Sequence, residues 1–286
     1  MMWILFAFGS AFFAGITAIL AKIGIKNTDS NLATALRTIV ILIFSWFMVW
    51  ITGAQHTINT LNPKTIIFLV LSGLATGMSW LCYFRALQLG NVNKVTPIDK
   101  SSTVLTMLLS MVFLGEAITG IKVLSLFLIG AGTWMMIEKK EDAKKAIDHR
   151  WLIYALGSAV FASLTSILGK IGIQDVDSNL GTAIRTIIVL LMAWILVIIT
   201  KKQSEIKEID KKNWLFLILS GLATGMSWLC YYKALQKGPA GIVVPIDKLS
   251  ILLTIGFSYF ILKEELSRKS FGGLILIVIG TLLLLI

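Results

Sequence analysis

The sequence predicts an all-α integral membrane protein of ten transmembrane helices, arranged as two inverted five-helix repeats. Three observations predict it. The chain has 286 residues, of which 57% are apolar and only 14% charged. The apolar residues gather into runs of about 20, the length that a bilayer core demands of a helix. The second half also repeats the first. Asp29-Ser-Asn31 returns at Asp177, Gly73-Leu-Ala-Thr-Gly-Met-Ser-Trp-Leu-Cys-Tyr83 at Gly221, and Pro97-Ile-Asp-Lys100 at Pro245, each 148 residues on. Roughly half of the aligned positions are identical, which marks a true internal duplication.

The runs are expected to be helices because a backbone in lipid must satisfy its own hydrogen bonds, and the short alternating segments of a β-barrel are absent. In the first repeat, residues 1–138, the spans fall at 3–24, 32–53, 65–89, 92–114 and 119–137. In the second, residues 151–286, they fall at 151–172, 180–200, 213–237, 240–262 and 267–286, and a charged linker, 139–150, joins the two. Met1 to Gly15 has the apolarity of a secretory leader. It lacks a basic start and recurs at Trp151 to Ser163, so it reads as a retained span. Asp29 and Asp177 precede the second spans and are good helix N-cap residues. An odd number of crossings makes the second copy face the opposite way, the plan on which secondary transporters are built.

The net charge of +11 would suggest a nucleic-acid partner in a soluble protein. Here the cations sit in the connections, so they read as an orientation signal, and no nucleic acid is expected. Lys201, Lys202, Lys207, Lys211 and Lys212, the linker's Lys139, Lys140, Lys144, Lys145 and Arg150, and Lys263, Arg268 and Lys269 fall on one side of the membrane. Lys22, Lys26, Arg85 and Lys94 join them; Lys170, Lys233 and Lys237 do not. Positive-inside sorting places both termini outside the cell membrane and the linker in the cytoplasm.

Ionisable groups inside spans are functional candidates by default. Asp99 and Asp247 recur at equivalent positions, with Arg37 and Arg185 as cationic counterparts and expected ion-pair partners; structural pairing is the alternative. The stripe Asp99, Ser102, Thr106, Ser110 lies on one helical face and returns as Asp247, Ser250, Thr254, Ser258. It reads as a pathway lining or as interhelical hydrogen-bonding surface. Pro97 and Pro245 precede the stripe. They mark either a plain helix start or a break that frees carbonyls for a ligand. Trp80 and Tyr83, repeated as Trp228 and Tyr231, share a face in mid-span and read as aromatic cavity walls. Lys22, Lys170, Lys100 and Lys248 lie near span ends as gating or coupling candidates, or snorkel to the interface. Glu116 and Glu264 read as caps. Gly73-x-x-x-Gly77 and Gly221-x-x-x-Gly225 permit close helix approach. Cys82 and Cys230 read as small packing residues, and their spacing offers neither a disulfide framework nor a metal site. No cofactor is expected.

The five-helix repeat, the Gly73-to-Tyr83 span, the Pro-Ile-Asp-Lys opening of the fourth span and its Leu114-Gly-Glu116 close together resemble the drug/metabolite transporter superfamily, in its ten-span EamA-type branch. The second copy departs slightly, reading Leu262-Lys-Glu264. The resemblance covers nearly the whole chain. It implies a cavity between the repeats, lined mainly by the first four helices of each, with the fifth helices packed behind. It implies no particular substrate, since the family's substrates are diverse.

The expected function is an alternating-access carrier for a small organic solute or metabolite such as an amino acid. A proton, through Asp99 or Asp247, or a counter-solute would couple the flux. Multidrug or organic-cation efflux, flipping of a lipid-linked sugar and a non-transporting membrane scaffold are the alternatives. An enzyme is disfavoured, because the histidines, His56 and His149, sit in connections away from any intramembrane nucleophile. No phosphate-binding loop for ATP occurs, so energy would come from gradients or exchange.

Overall fold

The apolar runs fold as helices throughout the computed structural model, which describes residues 2–24, 28–89, 95, 98–136, 150–260 and 267–286. Helices α1 (Met2–Gly24), α2 (Ser30–Ile51), α3 (Pro63–Leu89), α4 (Ser102–Phe113) and α5 (Gly120–Met135) make up the described part of the first repeat. The second holds α6 (Arg150–Gly172), α7 (Ser178–Ile199), α8 (Lys211–Lys237), α9 (Ala240–Lys248), α10 (Ser250–Phe260) and α11 (Arg268–Leu283). Expectations for the side chains of Lys22 and Ser258, and for Lys26, Lys94, Pro97, Lys263, Glu264 and residues 139–149, fall outside the described residues.

Seven stretches among the described residues are long and apolar enough to cross a membrane, one of them, Ala240–Phe257, joining α9 to α10. Length and composition therefore give fewer crossings than the ten expected. Of the three missing, the first repeat's fourth span is only partly described, and the other two have a physical reason. α5 and α11 hold 16 residues each, about 24 Å of helix against a hydrocarbon core of roughly 30 Å.

The duplication reaches local detail. Asp29 Oδ1 accepts from the backbone N–H groups of Asn31 and Leu32, and Asp177 Oδ1 from those of Asn179 and Leu180. Both are the helix N-caps that their residue type suggests. The chain leaves α2 through Gly53 at φ +70° and leaves α7 through its counterpart Lys201 at φ +55°. Glycine tolerates that left-handed conformation and lysine does not favour it. Matching 3-10 turns follow, Ala54–Thr60 and Gln203–Glu208.

The repeats interlock crosswise. α1 packs along α8, and α3 along α6, so the first helix of each copy lies against the third helix of the other. Ser10 and Thr17 of α1 meet Ser227 and Thr224 of α8, which makes the pair antiparallel. Ser158 and Thr165 of α6 meet Ser79 and Thr76 of α3 in the same sense. Equivalent helices also pack antiparallel on one another. The C-terminal Thr52 beyond α2 meets Asn179 at the start of α7. In α5 and α11, Gly132 approaches Gly273 while Ile129 approaches Gly280. A helix antiparallel to its own duplicate is the signature of an inverted repeat.

Glycines set these approaches. A Cβ on Gly73 would lie 2.7 Å from Ile188 Cβ, and one on Gly221 2.7 Å from Val40 Cβ. One on Gly132 would stand 2.5 Å from the Gly273 carbonyl oxygen. Close backbone contact of this kind replaces the hydrophobic drive that lipid removes. Outward, Leu5, Phe47, Trp50, Phe127, Trp134 and Ile198 are exposed, as a lipid-facing surface requires.

The second repeat's fourth span resolves the two readings of Pro245. α9 starts at Ala240, so Pro245 lies inside the helix rather than at its start. It withholds the N–H that would pair the carbonyl four residues back. The helix then tightens at Leu249, whose N–H bonds the Ile246 carbonyl at 3.0 Å, before α10 begins. Ser101 makes the same turn onto Ile98 at 3.2 Å ahead of α4.

Candidate functional site

Asp99 and Asp247 sit immediately before these two breaks. Each carboxylate takes a short hydrogen bond from a buried serine of the opposite repeat's first helix. Ser158 Oγ donates to Asp99 Oδ1 at 2.6 Å, and Ser10 Oγ to Asp247 Oδ1 at 2.5 Å. A third-span serine completes each set: Ser79 Oγ donates to the Ser158 carbonyl and Ser227 Oγ to the Ser10 carbonyl, both at 3.1 Å. Lys248 Nζ stands 3.6 Å from Asp247 Oδ2. Lys100 lies within electrostatic reach of Lys248, Asp99 and Asp247.

The arginines do not pair with these aspartates, which corrects the expectation of Arg37–Asp99 and Arg185–Asp247 ion pairs. Arg37 Nη2 donates to Thr224 Oγ1 at 2.8 Å. Arg185 donates through Nε to Ser72 Oγ at 3.0 Å and through Nη2 to Thr76 Oγ1 at 2.5 Å. The reason is geometric. The second-span arginines face the third helix of the opposite repeat, whereas the aspartates face its first. Arg185 is 2% exposed and stands over two rings, 5.1 Å from the Trp228 centroid and 4.8 Å from that of Tyr232. Cation–π contact partly offsets the cost of burying a guanidinium. Even so, Arg185 Nη1 and Arg37 Nε are buried without a hydrogen-bond partner.

Two cavities open beside these arginines. One, of about 270 Å³, is lined by Thr34, Arg37, Thr38, Ile41, Trp80, Thr224 and Trp228. The other, of about 260 Å³, is lined by Thr76, Ser79, Trp80, Arg185, Ser227, Trp228, Tyr231, Tyr232, Asp247 and Lys248, with Ala14, Ala162, Thr165 and Ser166. Both draw walls from both repeats, and they share Trp80 and Trp228. Tyr231 OH is hydrogen-bonded to Ser166 Oγ at 2.7 Å and crosses Tyr232 edge-on. Tyr83 instead packs with Ala86, Val95, Ala155 and Trp151.

The rest of the polar stripe is placed elsewhere. Thr106 Oγ1 bonds the Ser102 carbonyl, Ser110 Oγ the Met107 carbonyl and Thr254 Oγ1 the Ser250 carbonyl. None of Ser102, Thr106, Ser250 and Thr254 lines either cavity. Lys170 Nζ caps the end of α8, donating to the carbonyls of Leu235 and Gly238 at 2.7 and 2.6 Å. Glu116 caps the opposite repeat: its carboxylate accepts from the N–H groups of Ala240 and Gly241 at the start of α9, from Ser110 Oγ, and pairs with Lys122 at 3.4 Å.

Sequence reasoning passed over the hydroxyls that hold the charged groups: Ser10, Ser72, Thr76, Ser79, Ser158, Thr224 and Ser227. Their signal was present. Ser10/Ser158, Thr76/Thr224 and Ser79/Ser227 recur as duplicated polar residues within apolar spans, the same test that singled out Asp99.

The geometry defines a membrane protein of two interlocked, inverted repeats with polar cavities between them. The EamA-like transporter family model matches residues 1–138 and 149–286, and the chain belongs to that family. One relative, an "uncharacterized transporter in cobO 3'region" from a Sinorhizobium species, is 42% identical over 138 residues, 48% of this chain and 98% of its own. An uncharacterized protein of Methanocaldococcus jannaschii is 37% identical over 87 residues, 30% of this chain and 64% of its own. A solved crystal structure superposes with a TM-score of 0.82 over 99% of this chain and 98% of its own at 17% identity. At that identity the likeness shows the fold.

Proposed function

We propose that this transporter is a secondary carrier for a small organic solute, anionic or zwitterionic like an amino acid, working by alternating access. Residues 1–138 and 151–286 form its two five-helix repeats, crossing the cell membrane ten times. Both termini lie outside and the 139–150 linker is cytoplasmic, as the sorting of basic residues favours. The observation that carries the reading is that both cavities are lined by residues of both repeats. Any rocking of one repeat against the other therefore reshapes them.

Arg37 and Arg185 favour an anionic group in the solute, and Trp80 and Trp228 supply apolar walls for its body. The same aromatic walls support an organic-cation substrate, which the two guanidinium groups oppose. Asp99 and Asp247, each held by one serine across the repeat interface, are the groups that would exchange protons if flux is proton-driven. Reconstitution of the full chain in vesicles with amino acids, organic anions and organic cations tests the carrier. Flux that saturates with solute and is lost when Trp80 and Trp228 are both replaced by Ala supports it, and saturating flux unaffected by those changes refutes the site. Replacing both Asp99 and Asp247 by Asn abolishes a proton-driven flux; unchanged flux removes the coupling role.

A further inference from the structure

The cavity walls carry an unbalanced charge. Asp247 is already engaged by Ser10 and Lys248. Neither Arg37 nor Arg185 is ion-paired, although Asp247 lines the same cavity as Arg185, and each arginine keeps one buried N–H donor without an acceptor. Two unpaired guanidiniums thus stand in two adjoining cavities that meet at Trp80 and Trp228. Unsatisfied charged donors of this kind are costly to keep buried in a protein interior. An anionic group in each cavity would offset, through its charge, the cost of burying the guanidinium beside it.

We propose that the two cavities form one bipartite site for a small organic dicarboxylate, with one carboxylate at Arg37, the other at Arg185, and the carbon chain between Trp80 and Trp228. The charges must sit at separate ends, because the arginines line different cavities. A phosphate ester, with both charges at one end, matches only one of them. An amino acid would bring an ammonium toward a guanidinium. An organic cation would meet two. The inference rests on the carrier reading for its physiological meaning, but the binding geometry stands without it.

The test is equilibrium binding to the purified full chain. The probes are four- to six-carbon dicarboxylates, the monocarboxylates of equal length, a phosphomonoester, a neutral amino acid and a quaternary ammonium. The dicarboxylate is expected to bind tightest. Arg37→Gln and Arg185→Gln should each weaken it by about tenfold or more, the loss of one charge-assisted contact. In either variant the preference for dicarboxylate over monocarboxylate should fall to about one. A mere loss of folding would not produce that collapse, and Arg185→Lys, which keeps the charge, should restore part of it. Tighter binding of any other probe, no dicarboxylate binding, or a preference that survives both Gln variants overturns the proposal. Binding without flux in vesicles would leave the site standing and refute the carrier; flux of another solute would do the reverse.

Discussion

Arg185 and Arg37 occupy the same position in two copies of one repeat, yet their surroundings differ. Arg185 is held by two hydroxyls and two rings. Arg37 has the threonine equivalent, Thr224, and no such ring stack among the described contacts. The backbone that places them is duplicated; one side chain is not. Tyr232 in the second repeat corresponds to Phe84 in the first. Duplication therefore supplies a symmetric scaffold on which the described contacts of the two arginines differ.

The sharpest way to break this comparison is to remove each arginine. Arg185→Ala should lower unfolding stability by about 3 kcal/mol, since charge-assisted hydrogen bonds and cation–π contact are lost together. Arg37→Ala should cost about half as much. Denaturant titration in detergent measures both, and equal losses would mean that the two cradles are equivalent after all. Next in size is Gly132→Val on the symmetric α5–α11 contact. Its side chain meets backbone that cannot yield, so a loss of about 2 kcal/mol is expected by thermal unfolding.

Smaller and matched effects should come from Ser10→Ala and Ser158→Ala, which each remove the donor to one aspartate. About 1–2 kcal/mol apiece is expected. Values that agree with each other support the symmetric scaffold, and a large disparity would extend the asymmetry to the aspartates. The smallest change is a gain. Lys201→Gly, at φ +55°, should raise stability by about 1 kcal/mol. The reverse change, Gly53→Lys, should lower it by a similar amount.

What the sequence made legible was the scaffold. A repeat at constant spacing, apolar runs of bilayer length and the aspartate caps before α2 and α7 each translate directly into helices and their order. The Gly73/Gly77 and Gly221/Gly225 spacings likewise mark the close contacts of α3 with α7 and α8 with α2. Of the candidate site, some cavity-lining residues were legible and their partners were not. Arg37, Arg185, Trp80, Trp228 and Asp247 do line the cavities, but which residue meets which depends on the crosswise docking of the repeats. Charge complementarity along one sequence pointed to Arg37–Asp99. Arg37 instead meets a threonine on the third helix of the other repeat. Pro245 was ambiguous for a similar reason: the start of its helix is fixed by Glu116, a residue from the far copy.

The inverted relation of the two copies is tested most directly by the side on which equivalent loops emerge. Single cysteines in place of His56 and Ser204, an equivalent and exposed pair, are placed in a chain whose Cys82 and Cys230 have been replaced by Ala. A membrane-impermeant maleimide is then added to intact cells. Position 56 should be labelled at once and position 204 only after the membrane is opened. Labelling of both from the same side would contradict the inverted topology, and with it the carrier built on it.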